Sequence, residues 1–198
     1  MPSVDHIVLA AKDVERAKAA FEALTGVTPA YGGAHVGRGT CNYLVGLGGA
    51  SYLEIIGLDP EQDTEALKGK ISFGVDEMGD EARLMSWAAA TDKLDSIAGA
   101  ADWVGSPFSM SRATPSGETL EWSLATSFGS ADEQPKDNAQ GLLPFFIDWR
   151  GTPLHPASTS PKGCRLVSLT LEHPQRSRIV DSLGPLGGLD RGVVTATE

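Results

Sequence analysis

The chain opens on "VDHIVLAA", an apolar run rich in β-branched residues, which predicts a buried strand. "KDVERAKAAFEALTG" follows at once. In it Val14, Ala17, Phe21 and Leu24 recur at helical spacing, Asp13 stands where a helix is capped and Gly26 where one ends. The Gly-rich "TPAYGGAHVGRGT" predicts a short strand and a loop. "CNYLVGL", a "GG" and "SYLEIIGL" then read as two apolar strands around a glycine turn. Residues 1–60 thus predict the order β-α-β-β-β.

Acids, glycines and a proline interrupt the pattern, and residues 61–80 read as a connection carrying at most short helical pieces. Over residues 81–150 the same order returns. "RLMSWAAAT" predicts a strand and "DKLDSIAGAAD" a short helix opened by Asp92. "PFSMSRATPSGETLEWSLATS" predicts two strands around a "PSG" turn, and "LLPFFIDW" a last strand after the polar loop "ADEQPKDNAQG". Residues 151–198 begin as a Pro/Ser/Gly linker and end in a strand-helix extension closed by "VVTAT", too short for a third repeat. The expected fold class is α+β: two tandem βαβββ modules with a C-terminal β-α-β extension.

The repeat can be laid out residue by residue. Tyr52-Leu53-Glu54 falls over Phe146-Ile147-Asp148 (aromatic, aliphatic, acid), and Val14 over Leu94. That register sets His6 opposite Ser86, with Met85 and Trp87 on either side.

Composition narrows the function. A formal net charge of −10 over 198 residues argues against binding nucleic acid through its phosphates, although one local arginine can still receive a small anion. Cys41 and Cys164 form no CxxC pattern, so neither a disulfide framework nor a structural zinc site is expected. The N-terminus lacks the pattern of a signal peptide, and no stretch reaches the ~20 apolar residues of a membrane span. A soluble, cytoplasmic protein is the expectation, with no membrane partner. "GGAHVGRG" lacks the strand–GxGxxG–helix setting of a nucleotide loop, and neither GxSxG nor HExxH occurs.

Paired βαβββ modules with "DHIVL" in the first strand and "YLEII" in the fourth resemble the vicinal oxygen chelate superfamily. More narrowly, the chain is similar to its glyoxalase-like domain branch. The likeness is carried by "DHIVLAAKDVERAKAAFEALTG", "GGAHVGRGTCNYLVGLGGASYLEII", "RATPSGETLEWSL" and "LPFFIDW", over roughly residues 4 to 149, and the tail "RLVSLTLEHP" fits it too. The resemblance implies a curled, half-open barrel around a central cavity. It also implies ligand positions on the first and fourth strands of each module: His6, Glu54, Ser86 or a neighbour, and Asp148. A divalent ion (Zn, Ni, Mn or Fe) on His6, Glu54 and Asp148 would polarise a ligand's adjacent oxygens. Met85, Ser86 and Trp87 supply no histidine, so the four-ligand set of glyoxalase I is incomplete.

The residues themselves give further candidates. Strand alternation puts Val4, His6 and Val8 on one face, and Tyr52, Glu54 and Ile56 on one face. A carboxylate inside "SYLEIIGL" must be paired, metal-bound or wet, so Glu54 is expected to work in the cavity. Asp148 is a candidate third ligand or general base, or else the partner of Arg150 or Arg112. His35 and Asn42 are candidate ligand contacts, the former in a loop whose glycines permit close approach. Arg112 is a candidate anchor for a carboxylate or phosphate. Trp87 and Trp122 are candidate platforms or core residues. His155 and His173 precede proline and receive no role.

Two functions stay open at the level of sequence. One is a lyase, isomerase or dioxygenase acting on a small molecule at a metal. The other is a metal-free binding or sequestering protein of the antibiotic-resistance type. Either is compatible with a monomer or a homodimer.

Overall fold

A computed structural model of the chain describes residues 2–69, 71–114, 117–128, 134–152, 154–186 and 194–197. The first module comprises β1 (Ser3–Ala10), α1 (Val14–Thr25), β2 (Ala30–His35), β3 (Thr40–Gly46) and β4 (Tyr52–Leu58). The second comprises β5 (Arg83–Ala90), α2 (Leu94–Ala100), β6 (Phe108–Ala113), β7 (Thr119–Ala125) and β8 (Phe145–Asp148). Beyond them lie α3 (Pro156–Thr159), β9 (Leu169–Glu172), α4 (Arg176–Leu183) and β10 (Val194–Thr197). Pro115 and Ser116 of the expected "PSG" turn, and residues 131–133 of the polar loop, lie outside the described residues.

Both modules contribute to one eight-stranded sheet in the order β2-β3-β4-β1-β5-β8-β7-β6. At its centre β1 runs parallel to β4 and antiparallel to β5. The outer strands β2 and β6 stand against each other, so the sheet curls into a nearly closed α+β barrel.

The helices lie on the convex face. Asp13 caps α1 by accepting from the Arg16 amide at 2.9 Å, and Gly26 ends it in the left-handed region at φ 71°. Val14 and Ala17 are buried, but Leu24 is 86% exposed, so the apolar stripe of α1 is shorter than its spacing predicts. Helix α2 starts one residue later than expected, with Lys93 rather than Asp92 at its N-cap. Under the helices, Val4, Ile7, Leu53, Ile55, Trp87 and Phe146 belong to the main core.

The concave face has smaller apolar clusters. Val8, Ala10 and Ile56 pack against Ile71, Val75 and Met78, so the connection between the modules folds back and covers part of the barrel. Ala88, Leu120, Trp122 and Ile147 form another cluster. Trp87 does not join them: it is 2% exposed in the convex core and its indole N–H donates to the Leu142 carbonyl at 2.8 Å. It is a core residue rather than a ligand platform, because its strand position points to the helix side.

One irregularity shapes the site. The β1–β5 register shifts between Val4 and His6, where Asp5 is the extra residue. A bulge of this kind breaks the two-residue alternation. Val4 therefore joins the helix-side core, whereas His6, Val8 and Ala10 face the concave side, correcting the expected grouping of Val4 with His6.

Candidate functional site

The bulge brings Asp5 into the interior, where it is 1% exposed. Its carboxylate meets three side-chain nitrogens: His6 Nδ1 at 2.6 Å on Oδ1, and His155 Nε2 and Trp149 Nε1, each at 3.0 Å, on Oδ2. His155 Nδ1 accepts from the Ala157 amide at 3.1 Å, which leaves Nε2 as the protonated nitrogen that donates to Asp5. Burial pushes the Asp5 carboxyl up, but the bonds from His155 and His6 outweigh it, and the group lies below its ordinary 3.8.

Because Asp5 accepts from His6 Nδ1, Nε2 is the nitrogen turned toward Glu54. It stands 3.7 Å from Glu54 Oε2, beyond hydrogen-bond length. Tyr52 stacks on the His6 ring with centroids 4.6 Å apart, and Phe145 meets it edge-on at 5.3 Å. The ring is thus fixed on both sides.

Glu54 is 8% exposed in the middle of the sheet, and its Oε1 accepts from Asn42 Nδ2 at 2.6 Å. The carboxylate accepts, so the amide atom facing it must be the NH2 group. Asn42 Oδ1 is left buried without a hydrogen-bond partner among the described residues, and it is turned toward Gly32. His35 completes the group, with Nε2 3.9 Å from Glu54 Oε1 and Nδ1 bonded to Thr40 Oγ1 at 2.9 Å. Burial lowers the His35 pKa below 6.5 against the pull of Glu54, which favours the neutral ring.

Arg112 on β6 reaches in from across the barrel seam. A Cβ at Gly33 would lie 2.7 Å from its Nη1, so the glycine of β2 makes way for the guanidinium. That nitrogen is buried and has no hydrogen-bond partner among the described residues. Burial pushes the Arg112 guanidinium below its ordinary pKa against the pull of nearby Tyr52 and Glu54, and arginine stays cationic at neutral pH. Beside it a cavity of about 310 Å³ is lined by Gly32, Leu44, Arg112, Leu120, Pro156 and Ser160, among others. Leu44 is paired across the sheet with Glu54, which sets the carboxylate next to a residue of the cavity wall.

His6, Glu54, Asn42 and His35 thus come together, with Arg112 near them. Trp122 lies on the concave face beside Trp149, with ring centroids 5.6 Å apart. On β5, Ala88 pairs with His6 and Ser86 with Val8, a reciprocal pairing that agrees with Ser86 taking the place in the second module that His6 takes in the first. Asp148 does not join the site. It is Phe145 that packs edge-on against His6, and alternation along β8 sends Asp148 the other way, with Phe146. Its Oδ1 accepts from the Arg150 amide at 2.8 Å. The overlay of Glu54 on Asp148 is therefore displaced along β8. The expected set of His6, Glu54 and Asp148 does not fit a metal ion, and among the described residues no group of three or more His, Cys, Asp or Glu side chains is arranged to hold one.

Sequence reasoning misses Asp5 and His155. An aspartate inside a strand covered on both faces has to be partnered, and that signal was available for Asp5. Nothing local marks His155, whose partner is 150 positions away.

A glyoxalase-like domain family profile matches residues 4–187. The chain belongs to the glyoxalase-like domain family. Its fold is that of the vicinal oxygen chelate proteins. A solved structure of a hypothetical protein from Staphylococcus aureus superposes with a TM-score of 0.62 at 18% identity, over 91% of this chain and 73% of that one. Methylmalonyl-CoA epimerase from Mycobacterium tuberculosis superposes with a TM-score of 0.43 at 12% identity, over 73% of this chain and 85% of that one. A variant epimerase from Streptomyces coelicolor, in complex with 2-nitronate-propionyl-CoA, gives 0.44 at 17% identity over 73% and 95%. No curated protein matches the sequence. Among the described residues no helix is long and apolar enough to cross a membrane.

Proposed function

We propose that this member of the glyoxalase-like family binds a small molecule in its concave cavity and moves a proton on it, as an isomerase or lyase does. Glu54 is the base. Its carboxylate takes the proton from an acidic C–H of the ligand, the electron pair stays on the ligand as an enolate, and the proton returns from Glu54, directly or after passing to the unprotonated Nε2 of His6. Asp5 acts through His6 as a positioning residue, holding the proton on Nδ1 so that Nε2 faces the ligand.

One observation supports this reading above the rest: a buried carboxylate and a buried imidazole face each other across 3.7 Å, each oriented by its own partner, Asn42 or Asp5. Two titratable groups so placed beside a cavity are the usual makings of acid–base chemistry. No step is routed through a metal ion, since the expected ligand set does not converge.

The test is incubation of the protein in D2O with a mixture of small cellular metabolites, followed by mass spectrometry. The expected result is deuterium entering at least one compound, at a rate reduced by about 10²-fold or more in Glu54→Gln. No incorporation by the wild type, or equal incorporation by the variant, would contradict the proposal. A compound bound and returned without label would instead indicate a sequestering protein.

A further inference from the structure

Arg112 and Ser160 line a cavity of about 310 Å³ beside the His6–Glu54 group. We infer that this cavity takes the carboxylate of a small organic acid, with Arg112 as the anchor and the acid's apolar part against Leu44, Leu120 and Leu154; this rests on the reading that ligands enter the concave cavity.

Two buried donors there lack a partner among the described residues: Arg112 Nη1 and Ser160 Oγ, the latter on a residue only 6% exposed. Leaving such groups unpaired is unfavourable, and a ligand oxygen would remove that penalty. No carboxylate of the described residues lies within ion-pair distance of Arg112, so the guanidinium is not committed to an internal partner. Both residues line the same cavity of about 310 Å³, at the small end of ligand sites.

The charge present selects the kind of anion. Of the described residues that line the cavity, only Arg112 is cationic, and the exposed Glu118 stands at the rim. One guanidinium balances a monoanion. A phosphate dianion would leave excess negative charge close to Glu54, where screening is weak. The rest of the wall is largely aliphatic, which suits a hydrocarbon chain rather than a second charged group.

The experiment is calorimetric titration with a matched pair of probes, hexanoate and hexanamide, and with inorganic phosphate. They have similar size but differ in charge. The expected result is that the wild type binds hexanoate at least about tenfold more tightly than hexanamide and does not bind phosphate. In Arg112→Gln the preference for the acid should disappear, and Arg112→Lys should restore part of it. Equal affinity for acid and amide, or phosphate binding more tightly than hexanoate, would overturn the inference while leaving the cavity a ligand site. A preference unchanged in Arg112→Gln would also overturn it. Wild-type protein that binds neither organic probe up to about 10 mM would overturn both this inference and the cavity reading beneath it. The wild-type comparison needs no variant, so the result stands even where Arg112→Gln fails to fold.

Discussion

Asp5 is the residue on which most of the site's order depends. Three ring nitrogens converge on one carboxylate that is almost wholly removed from water. Replacing it with asparagine turns an amide N–H2 toward groups that are already donors, and the expected loss is about 2–4 kcal/mol. The sign of its pH dependence is fixed by its lowered pKa. The stabilisation is fully present above the unfolded value near 3.8 and is lost as pH falls through the folded value. Urea unfolding of wild type and Asp5→Asn should show a constant difference at neutral pH that shrinks below about pH 4. His35 gives a second window. Its pKa is lowered by burial, so the fold holds the neutral ring, and stability should fall as pH drops below 6.5. The same unfolding series on His35→Gln should be flatter as pH falls below about 6.5. The roles of Asp5 and His155 were hard to read from sequence. Asp5 enters the interior through a bulge, which alternation does not reveal, and His155 reaches it from a proline-flanked segment with no periodicity.

At the scale of elements, most of what was legible came from periodicity and turn chemistry. The cap at Asp13, the end at Gly26 and the hairpin around Gly48 and Gly49 follow local rules, and the structure has them where the residues put them. Parity at strand ends was not legible. β8 is only four residues long, too short for its alternation to fix a register by itself, and Asp148 was placed on the wrong face as a result. The seam between β2 and β6 was equally hidden, because its contacts are made between modules. Gly33 marks it: φ is 144° and a Cβ would approach Arg112 Nη1 at 2.7 Å. Gly33→Ala should cost about 1–3 kcal/mol in chemical unfolding and should also weaken hexanoate binding, since the guanidinium must move. A variant with wild-type stability and affinity would show that the seam tolerates a side chain.

For the molecule as a whole, the repeat of β-α-β-β-β was the strongest message in the sequence, and it is what makes one curled sheet out of two modules joined through β1 and β5. The repeat said less about the site, because the two halves are not chemically equivalent. The first supplies Asp5, His6, His35, Asn42 and Glu54. The second supplies Arg112 and Leu120 of the cavity wall, and the segment after it brings His155 to Asp5 and Ser160 to the cavity, with α3 packed on β3. On the proposed reading, such asymmetry puts a proton-moving pair on one side of a ligand and a charged anchor on the other. The most direct test of that division is the rate of deuterium incorporation by Glu54→Gln set beside its affinity for hexanoate. Exchange reduced by about 10²-fold or more, with affinity within about threefold of the wild type, is the predicted result. Exchange that persists in the variant, or falls only as far as hexanoate binding falls, would contradict it.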